Sequence, residues 1–246
     1  MKQNGFNSEY SGTDLLRNLE EGLPRYNKGV VYELFKRFSR TSQNKGFLLD
    51  FGAGTGSIAT LVNDEIGIKP VCIEIDPNLI KALIEKGYEV HQELPKKSKD
   101  YRFIYSANVL EHIENDEEVL KNLYEFLPPG GQLALFLPAF NSLYSNLDSD
   151  IGHYRRYGKR ELRGKLERAG FELIEIQHFD SLGFFFAYAY KVLGLLGIKV
   201  KVSVSKLKFY DSIVFPFSRF LDRAMFKHLI GKNIVAIAFK FADESM

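Results

Sequence analysis

The stretch Leu48–Gly56, LLDFGAGTG, with Ser57 directly after it, decides how this chain is read. Its apolar half reads as a strand, its glycines as a turn, and Ile58, Leu61 and Val62 beyond them as one face of a helix. Gly52, Gly54 and Gly56 at a strand-to-helix turn let backbone approach a ligand, and the helix start offers unpaired N–H groups to it. Many nucleotide-binding folds share such a turn, so its details matter. The spacing is G-x-G-x-G, without the third glycine of the dinucleotide fingerprint. Asp50, just before Phe51-Gly52, would repel a pyrophosphate but suits an ammonium or sulfonium group. Glu74 lies 20 residues beyond Gly54, where a carboxylate can accept hydrogen bonds from a ribose diol.

Outward from this turn, strand-like runs alternate with helical patterns, which predicts a parallel sheet covered by helices. Strands are expected at 46–51, 70–75, 88–92, 101–106, 132–138, 171–179 and 233–241. Between them, Leu79, Ile80, Leu83 and Ile84 mark a helix that stops at Gly87. Asn115 or Asp116 caps a second with Val119, Leu120, Leu123, Phe126 and Leu127 on one face, broken by LPPGG at 127–131. Lys159–Ala169 is a third, and a helix over 30–38, introduced by PRYNKG, precedes the alternation.

A ligand carrying a ribose, a cation and an amino-acid carboxylate fits Asp50, the glycine turn and Glu74 better than a diphosphate does. The order LLDFGAGTG, VCIEIDP, ANVLEHI and LPPGG leading into QLALFLP resembles class I S-adenosylmethionine-dependent methyltransferases over most of residues 46–180. The resemblance implies a Rossmann-like α/β sandwich around a seven-stranded, mostly parallel sheet with the last strand antiparallel. It implies S-adenosylmethionine as cofactor and S-adenosylhomocysteine as product. By the same resemblance Asp50, Gly52, Gly54 and Gly56 surround the methionine moiety, Glu74 with Ile75 beside it holds the ribose, Glu93 and Leu94 flank adenine, and Asn108 lies near the sulfonium. The chain is expected to be one domain: a helical cap (1–45), a cofactor core (46–180), an insertion or lid (181–231) and the last strand (232–242).

A hydroxyl acceptor needs a base, and His112 in LEHI and His153 in GHYRRY both follow predicted strands, at the carboxyl edge where ligands bind in such folds. His112 as a wall of the pocket and His153 as a structural hydrogen-bonder are the alternatives. The segment DSDIGHYRRYGKREL resembles one bacterial branch of these enzymes, met among those acting on surface polysaccharides and lipid-linked sugars; RYN (25–27) and GKNIVAIAFK (231–240) match the same branch. That likeness puts Tyr26 and Asn27 with the acceptor. Arg155 and Arg156 suit a phosphate or carboxylate, or else pair with Asp148 or Asp150; Tyr154 and Tyr157 suit a pocket wall or a sugar face. The expected reaction is methyl transfer to a small-molecule, glycan or lipid-linked acceptor at a hydroxyl. The alternatives are a protein-modifying methyltransferase and a non-catalytic cofactor-binding module.

The chain has a single cysteine, Cys72, which excludes internal disulfides and cysteine-based metal sites, and no metal is expected. SANVL after the fourth strand lacks the motif of base-methylating enzymes and no RNA-binding module is recognisable, so no nucleic-acid partner is expected. Residues 150–246 carry 17 basic and 10 acidic side chains, against 16 and 21 before them. The run LGFFFAYAYKVLGLLGI (182–198) falls short of a bilayer span, interrupted by Lys191 and three glycines. Lysines follow it in KVKVSVSKLK (199–208), so 181–208 is read as an intramolecular core or lid, or as a peripheral membrane contact. With no apolar run after its basic start, the N-terminus does not read as a signal peptide, and a cytoplasmic location, or the inner membrane face, is expected.

Overall fold

In the computed structural model of the protein, residues 21–38, 46–96, 99–198 and 203–241 are described. Strand β1 (Phe47–Phe51) runs down the centre of the molecule, flanked by β2 (Val71–Ile73) and β4 (Tyr101–Ala107), both parallel to it. The sheet continues through β3 (Val90–His91), β5 (Gln132–Pro138), β6 (Glu172–Phe179) and β7 (Asn233–Phe239), in the order β3-β2-β1-β4-β5-β7-β6. Only β7 is reversed, pairing antiparallel with β5 and β6. This is the seven-stranded Rossmann-like sheet expected of the sequence. Strand order turns back between β1 and β4, which opens a crevice at the carboxyl ends of the parallel strands.

The strands read as nearly continuous apolar runs because both faces of the sheet are covered. Neighbouring residues take opposite sides: Leu48, Phe103, Tyr105 and Phe136 pack on one face, Leu49, Ile104, Leu133 and Leu135 on the other. Helix α1 (Pro24–Phe35) covers the first face with Val30, Val31, Leu34 and Phe35, joined by Val62 of α2 (Ser57–Ile66). On the second face lie Leu120, Leu123 and Phe126 of α4 (Asp116–Phe126) and Leu162 and Leu166 of α6 (Lys159–Arg168). Helix α3 (Pro77–Glu85) starts after Asp76, because Pro77 fits a first turn and the Asp76 side chain accepts from the N–H groups of Asn78 and Leu79. A cap of this kind is worth about 1 kcal/mol.

Helix α1 begins at Pro24, six residues before the expected start at Val30, so PRYNKG forms its first turns. The proline supplies a helical φ where no N–H is needed. The first-turn donors are satisfied from far along the chain, where buried Asp211 accepts from the backbone N–H of Arg25 (3.0 Å) and Tyr26 (2.8 Å). The expected cap region is described only over 21–38, where α1 is a packed layer of the sheet.

Residues 181–231 fold into α7 (Ser181–Leu195), α8 (Val204–Phe209), a π-turn at Tyr210–Val214 and α9 (Phe215–Ala224). Asp222 of α9 accepts from the N–H groups of Asp180 (2.9 Å) and Ser181 (3.1 Å), which fastens the start of α7 to α9. The first part of KVKVSVSKLK, residues 199–202, lies outside the described residues. Among the described residues no helix is long and apolar enough to cross a membrane.

Candidate active site

The crevice is built from the turns that leave β1, β2, β4 and β5. At the first, Gly52, Gly54 and Gly56 all have positive φ, 79°, 56° and 80°. A side chain on Gly52 would also drive its Cβ to 2.3 Å from the Val109 side chain, so the β1 turn packs directly against a residue just after β4. The Cβ position of Gly54, in contrast, faces nothing within 4 Å, which leaves space above the turn for a ligand.

Two carboxylates bracket that space. Asp50 is 2% exposed and accepts from the Tyr105 hydroxyl at 3.0 Å; burial pushes its pKa up to about 7 despite that hydrogen bond. A cationic ligand group would supply the counter-charge it lacks. Glu74 accepts from three backbone donors, Gly54 N–H (2.7 Å), Ile75 N–H (2.8 Å) and Asp76 N–H (3.0 Å). A carboxylate accepts about four hydrogen bonds, so a ribose diol would take the remaining site and displace one N–H. Glu74 therefore braces the glycine turn as well as facing the crevice, a role that spacing alone did not reveal. The donor set, a buried anion beside an open glycine turn and a carboxylate one strand away, fits an aminoacyl-sulfonium nucleoside.

Beyond β2 the Ile75 side chain is 61% exposed, Glu93 is exposed, and Leu94 packs partly against the core beneath the sheet edge. Asn108 is exposed at the end of β4, with φ 55° and its N–H donating to the Phe136 carbonyl at 2.8 Å. Asparagine is one of the few residues besides glycine that enters this left-handed region at little cost.

The GHYRRY segment is stitched alongside the end of β5, with Tyr157 N–H donating to the Pro138 carbonyl and Phe140 N–H to the Tyr157 carbonyl, both at 2.9 Å. Most of its polar groups turn inward. Tyr157 is fully buried and its hydroxyl donates to Asp116 at 2.7 Å, so it belongs to the core under the loop and not to an acceptor wall. Arg155 pairs with the same Asp116 (2.8 Å) and donates to the Glu114 carbonyl; Arg156 pairs through Nε with Asp148 (2.7 Å). Both arginines thus brace the loop: Arg156 on Asp148, one of the partners the sequence offered, and Arg155 on Asp116, which it did not. Of the two tyrosines in the segment, Tyr154 stands out, 56% exposed. Tyr26 is likewise turned into the core: its ring packs on Phe179 and Phe215 and its hydroxyl donates to Asn233 at 2.8 Å. Asn27 beside it is half-buried.

Asp148 organises the loop. In α5 (Asn146–Asp150) it closes a capping box with Ser145, and its Oδ1 meets both Arg156 Nε and His153 Nδ1, the latter at 2.9 Å. Burial acts against ionisation here, but the hydrogen bond from His153 and the charge of Arg156 hold the carboxyl down at about 2. His153 is thereby oriented with Nε2 turned towards Glu111, whose Oε1 lies 3.8 Å away. The His112 ring meets the His153 ring edge-on, 4.5 Å between centroids. Burial and the neighbouring His153 lower the His112 pKa to about 4, so His112 is neutral at physiological pH and does not capture protons there. Glu111 was not singled out from the sequence. It is fully buried, neither of its carboxylate oxygens has a hydrogen-bond partner, and burial raises its pKa to about 8. The signal was present as the carboxylate next to His112 in LEHI.

A Rossmann-like sheet of this strand order with a glycine turn and acidic strand ends defines the class I methyltransferase fold. A family model described as "Methyltransferase domain" matches residues 2–176, and the chain belongs to that family. Phosphoethanolamine N-methyltransferase 2 of Caenorhabditis elegans is 25% identical over 114 residues, 42% of this chain and 26% of the relative. The chain therefore spans about a quarter of the length of that curated relative. Among solved structures, Haemonchus contortus phosphoethanolamine N-methyltransferase 2 in complex with S-adenosyl-L-methionine superposes with a TM-score of 0.57 at 16% identity, over 97% of this chain and 61% of that one. A SAM-dependent methyltransferase from Archaeoglobus fulgidus gives 0.54 at 21% identity over 87% and 94%. These similarities establish the fold.

Proposed function

We propose that the protein transfers a methyl group from S-adenosylmethionine to a hydroxyl of a small-molecule, glycan or lipid-linked acceptor. The observation that carries this reading is His153, fixed by Asp148 at the same edge of the sheet as the glycine turn. Asp50, Gly52, Gly54, Gly56 and Glu74 hold the cofactor, with Asn108 at the side facing the acceptor. S-adenosylmethionine, when bound, supplies a methyl group already activated on a sulfonium. The chain must therefore align the acceptor and take up its proton. With Nδ1 committed to Asp148, Nε2 is the His153 nitrogen left to take that proton.

A lipid-linked acceptor is favoured by the surface of the 181–231 insertion. Among the described residues, 13 of the 20 exposed large apolar side chains fall in it. The segment carries eight basic and two acidic residues, and the two acids, Asp211 and Asp222, are buried. An apolar and cationic exterior suits the face of an anionic membrane. In this reading 46–180 with 232–242 binds the cofactor, and 181–231 brings it to a peripheral contact at the inner membrane face. The likeness of GHYRRY to the branch acting on surface glycans and lipid-linked sugars agrees with that placement. The nematode relatives are N-methyltransferases by name, so phosphoethanolamine belongs in the assay as the competing acceptor. Incubating the protein with methyl-labelled S-adenosylmethionine and separate lipid, glycan and protein fractions tests the proposal. Label in the lipid or glycan fraction as an alkali-stable methyl ether supports it; label on phosphoethanolamine or protein alone refutes it.

A further inference from the structure

We infer that Glu111, His112 and His153 form a binding site for one divalent first-row transition-metal ion. One ligand atom from each of the three side chains lies within 4.8 Å of the other two. The set, two imidazoles and one carboxylate, is that of open catalytic metal centres, in which three protein ligands leave positions for an oxygen ligand.

The partners of each side chain argue for a cation. Glu111 is completely buried and both of its oxygens lack a hydrogen-bond partner. A buried polar group is costly unless something satisfies it, and nothing from the protein does so here. His153 has its Nδ1 tied to Asp148, which leaves its Nε2 turned towards Glu111. At 3.8 Å, Nε2 and Oε1 are too far apart to share a hydrogen bond. Two ligand atoms on one ion with bonds of about 2.1 Å sit roughly 3.0–3.4 Å apart, so a small closing of this gap would seat a cation between Nε2 and Oε1. The outer contacts have the matching form. Asp148 on Nδ1 of His153 is the carboxylate–histidine arrangement that orients metal-bound imidazoles. The His112 ring is anchored by hydrogen bonds with the backbone of Ile151 and Gly152. Carboxylate and imidazole together suit Mn2+, Fe2+, Co2+ or Zn2+ better than Mg2+ or Ca2+.

Binding of the ion stands on geometry alone. What the ion does rests on the reading above: an acceptor hydroxyl in an open position would be acidified and oriented, its proton passing to solvent, and His153 would serve as a ligand instead of taking the proton itself. Calorimetric titration of the metal-stripped protein with Co2+, together with the visible spectrum of the Co2+ form, tests the site. One Co2+ per chain with a d–d band is expected. Glu111→Gln, which keeps the shape, and His153→Ala should each weaken Co2+ binding more than about tenfold, and Asp148→Asn about tenfold. Absence of Co2+ binding by the wild type, or affinity unchanged in both Glu111→Gln and His153→Ala at unaltered circular dichroism, overturns the site. S-adenosylmethionine affinity is measured on the same samples. Cofactor bound without Co2+ refutes only the metal site, whereas Co2+ bound without cofactor refutes only the methyltransferase reading.

Discussion

His153 and Asp148 are joined twice: the ring Nδ1 lies 2.9 Å from Oδ1, and the His153 backbone N–H donates to the Asp148 carbonyl at 2.8 Å. Side chain and backbone therefore hold the imidazole in one orientation, and the same carboxylate neutralises Arg156. Asp148→Asn should lower the turnover of methylation about 10- to 100-fold while leaving S-adenosylmethionine affinity within twofold, since the cofactor side of the crevice is untouched. It should also destabilise the fold by about 3 kcal/mol, because Arg156 keeps its charge in a nearly buried site. Single-turnover kinetics and denaturant unfolding measure the two effects separately.

Asp50 makes cofactor binding depend on pH. Its pKa of about 7 in the folded protein lies above the unfolded value, so between roughly pH 4 and 7 the native state binds the extra proton. Stability without ligand should fall as pH rises through that window and level off above it. A cationic ligand prefers the ionised carboxylate, so S-adenosylmethionine should bind more tightly at pH 8 than at pH 6 and release a proton on binding near pH 7. Calorimetry in buffers of different ionisation enthalpy detects that release; Asp50→Asn should abolish it.

What the sequence disclosed and what it hid divide along the range of the interactions. β5 was legible to the residue, 132–138, because a short apolar run between LPPGG and a proline admits little else. The start of α1 was misjudged because the groups that fix it, the carboxylate oxygens of Asp211, come from 185 residues away or more. The glycine turn and Glu74 were found by local spacing, yet the three backbone donors that occupy Glu74 were not, since they depend on how the β1 turn approaches β2. In GHYRRY the residue types were informative and their directions were not. Tyr154 and Tyr157 look alike in sequence, but one is exposed and the other is buried on Asp116, which opens helix α4 far back in the chain. Glu111 escaped notice because a lone glutamate in a turn is ordinary until both its oxygens prove buried and unpartnered.

Glu74→Ala should act on both the ligand and the turn. Losing hydrogen bonds from the ribose is expected to weaken S-adenosylmethionine binding about 10- to 100-fold, by the usual strength of bonds to a charged acceptor. Because Gly54 N–H then has no carboxylate to reach, the turn should also loosen and amide exchange at residues 52–56 should quicken. Calorimetry reads the first effect and hydrogen exchange the second. Affinity unchanged beyond twofold would remove Glu74 from the cofactor site.

Arg155→Ala tests whether the arginines bind the acceptor or build the loop. Its guanidinium lies 2.8 Å from Asp116, which is 2% exposed and also holds Lys165 and the Tyr157 hydroxyl. Lys165 keeps Asp116 compensated in the variant, so the expected cost is about 1–2 kcal/mol. The Michaelis constant for an anionic acceptor should change less than twofold. A tenfold rise in that constant without loss of stability would restore Arg155 to the acceptor site.

Phe217 and Phe220 of α9 are 66% and 69% exposed, so replacing both with serine removes apolar surface without opening the core. If the insertion meets a membrane, the wild type should sediment with vesicles rich in anionic lipid and much less with neutral ones, because the basic residues of 181–231 add electrostatic attraction to apolar insertion. The attraction should weaken as salt shortens the Debye length, whereas the apolar part should persist. Losing two phenylalanines from the interface should reduce binding to anionic vesicles at least tenfold, since one fully buried aromatic side chain is worth about 1.5–3 kcal/mol. The unfolding midpoint should not change. Equal binding of wild type and variant would assign the aromatic surface to another role, and a variant that loses stability instead would show that these rings pack within the protein.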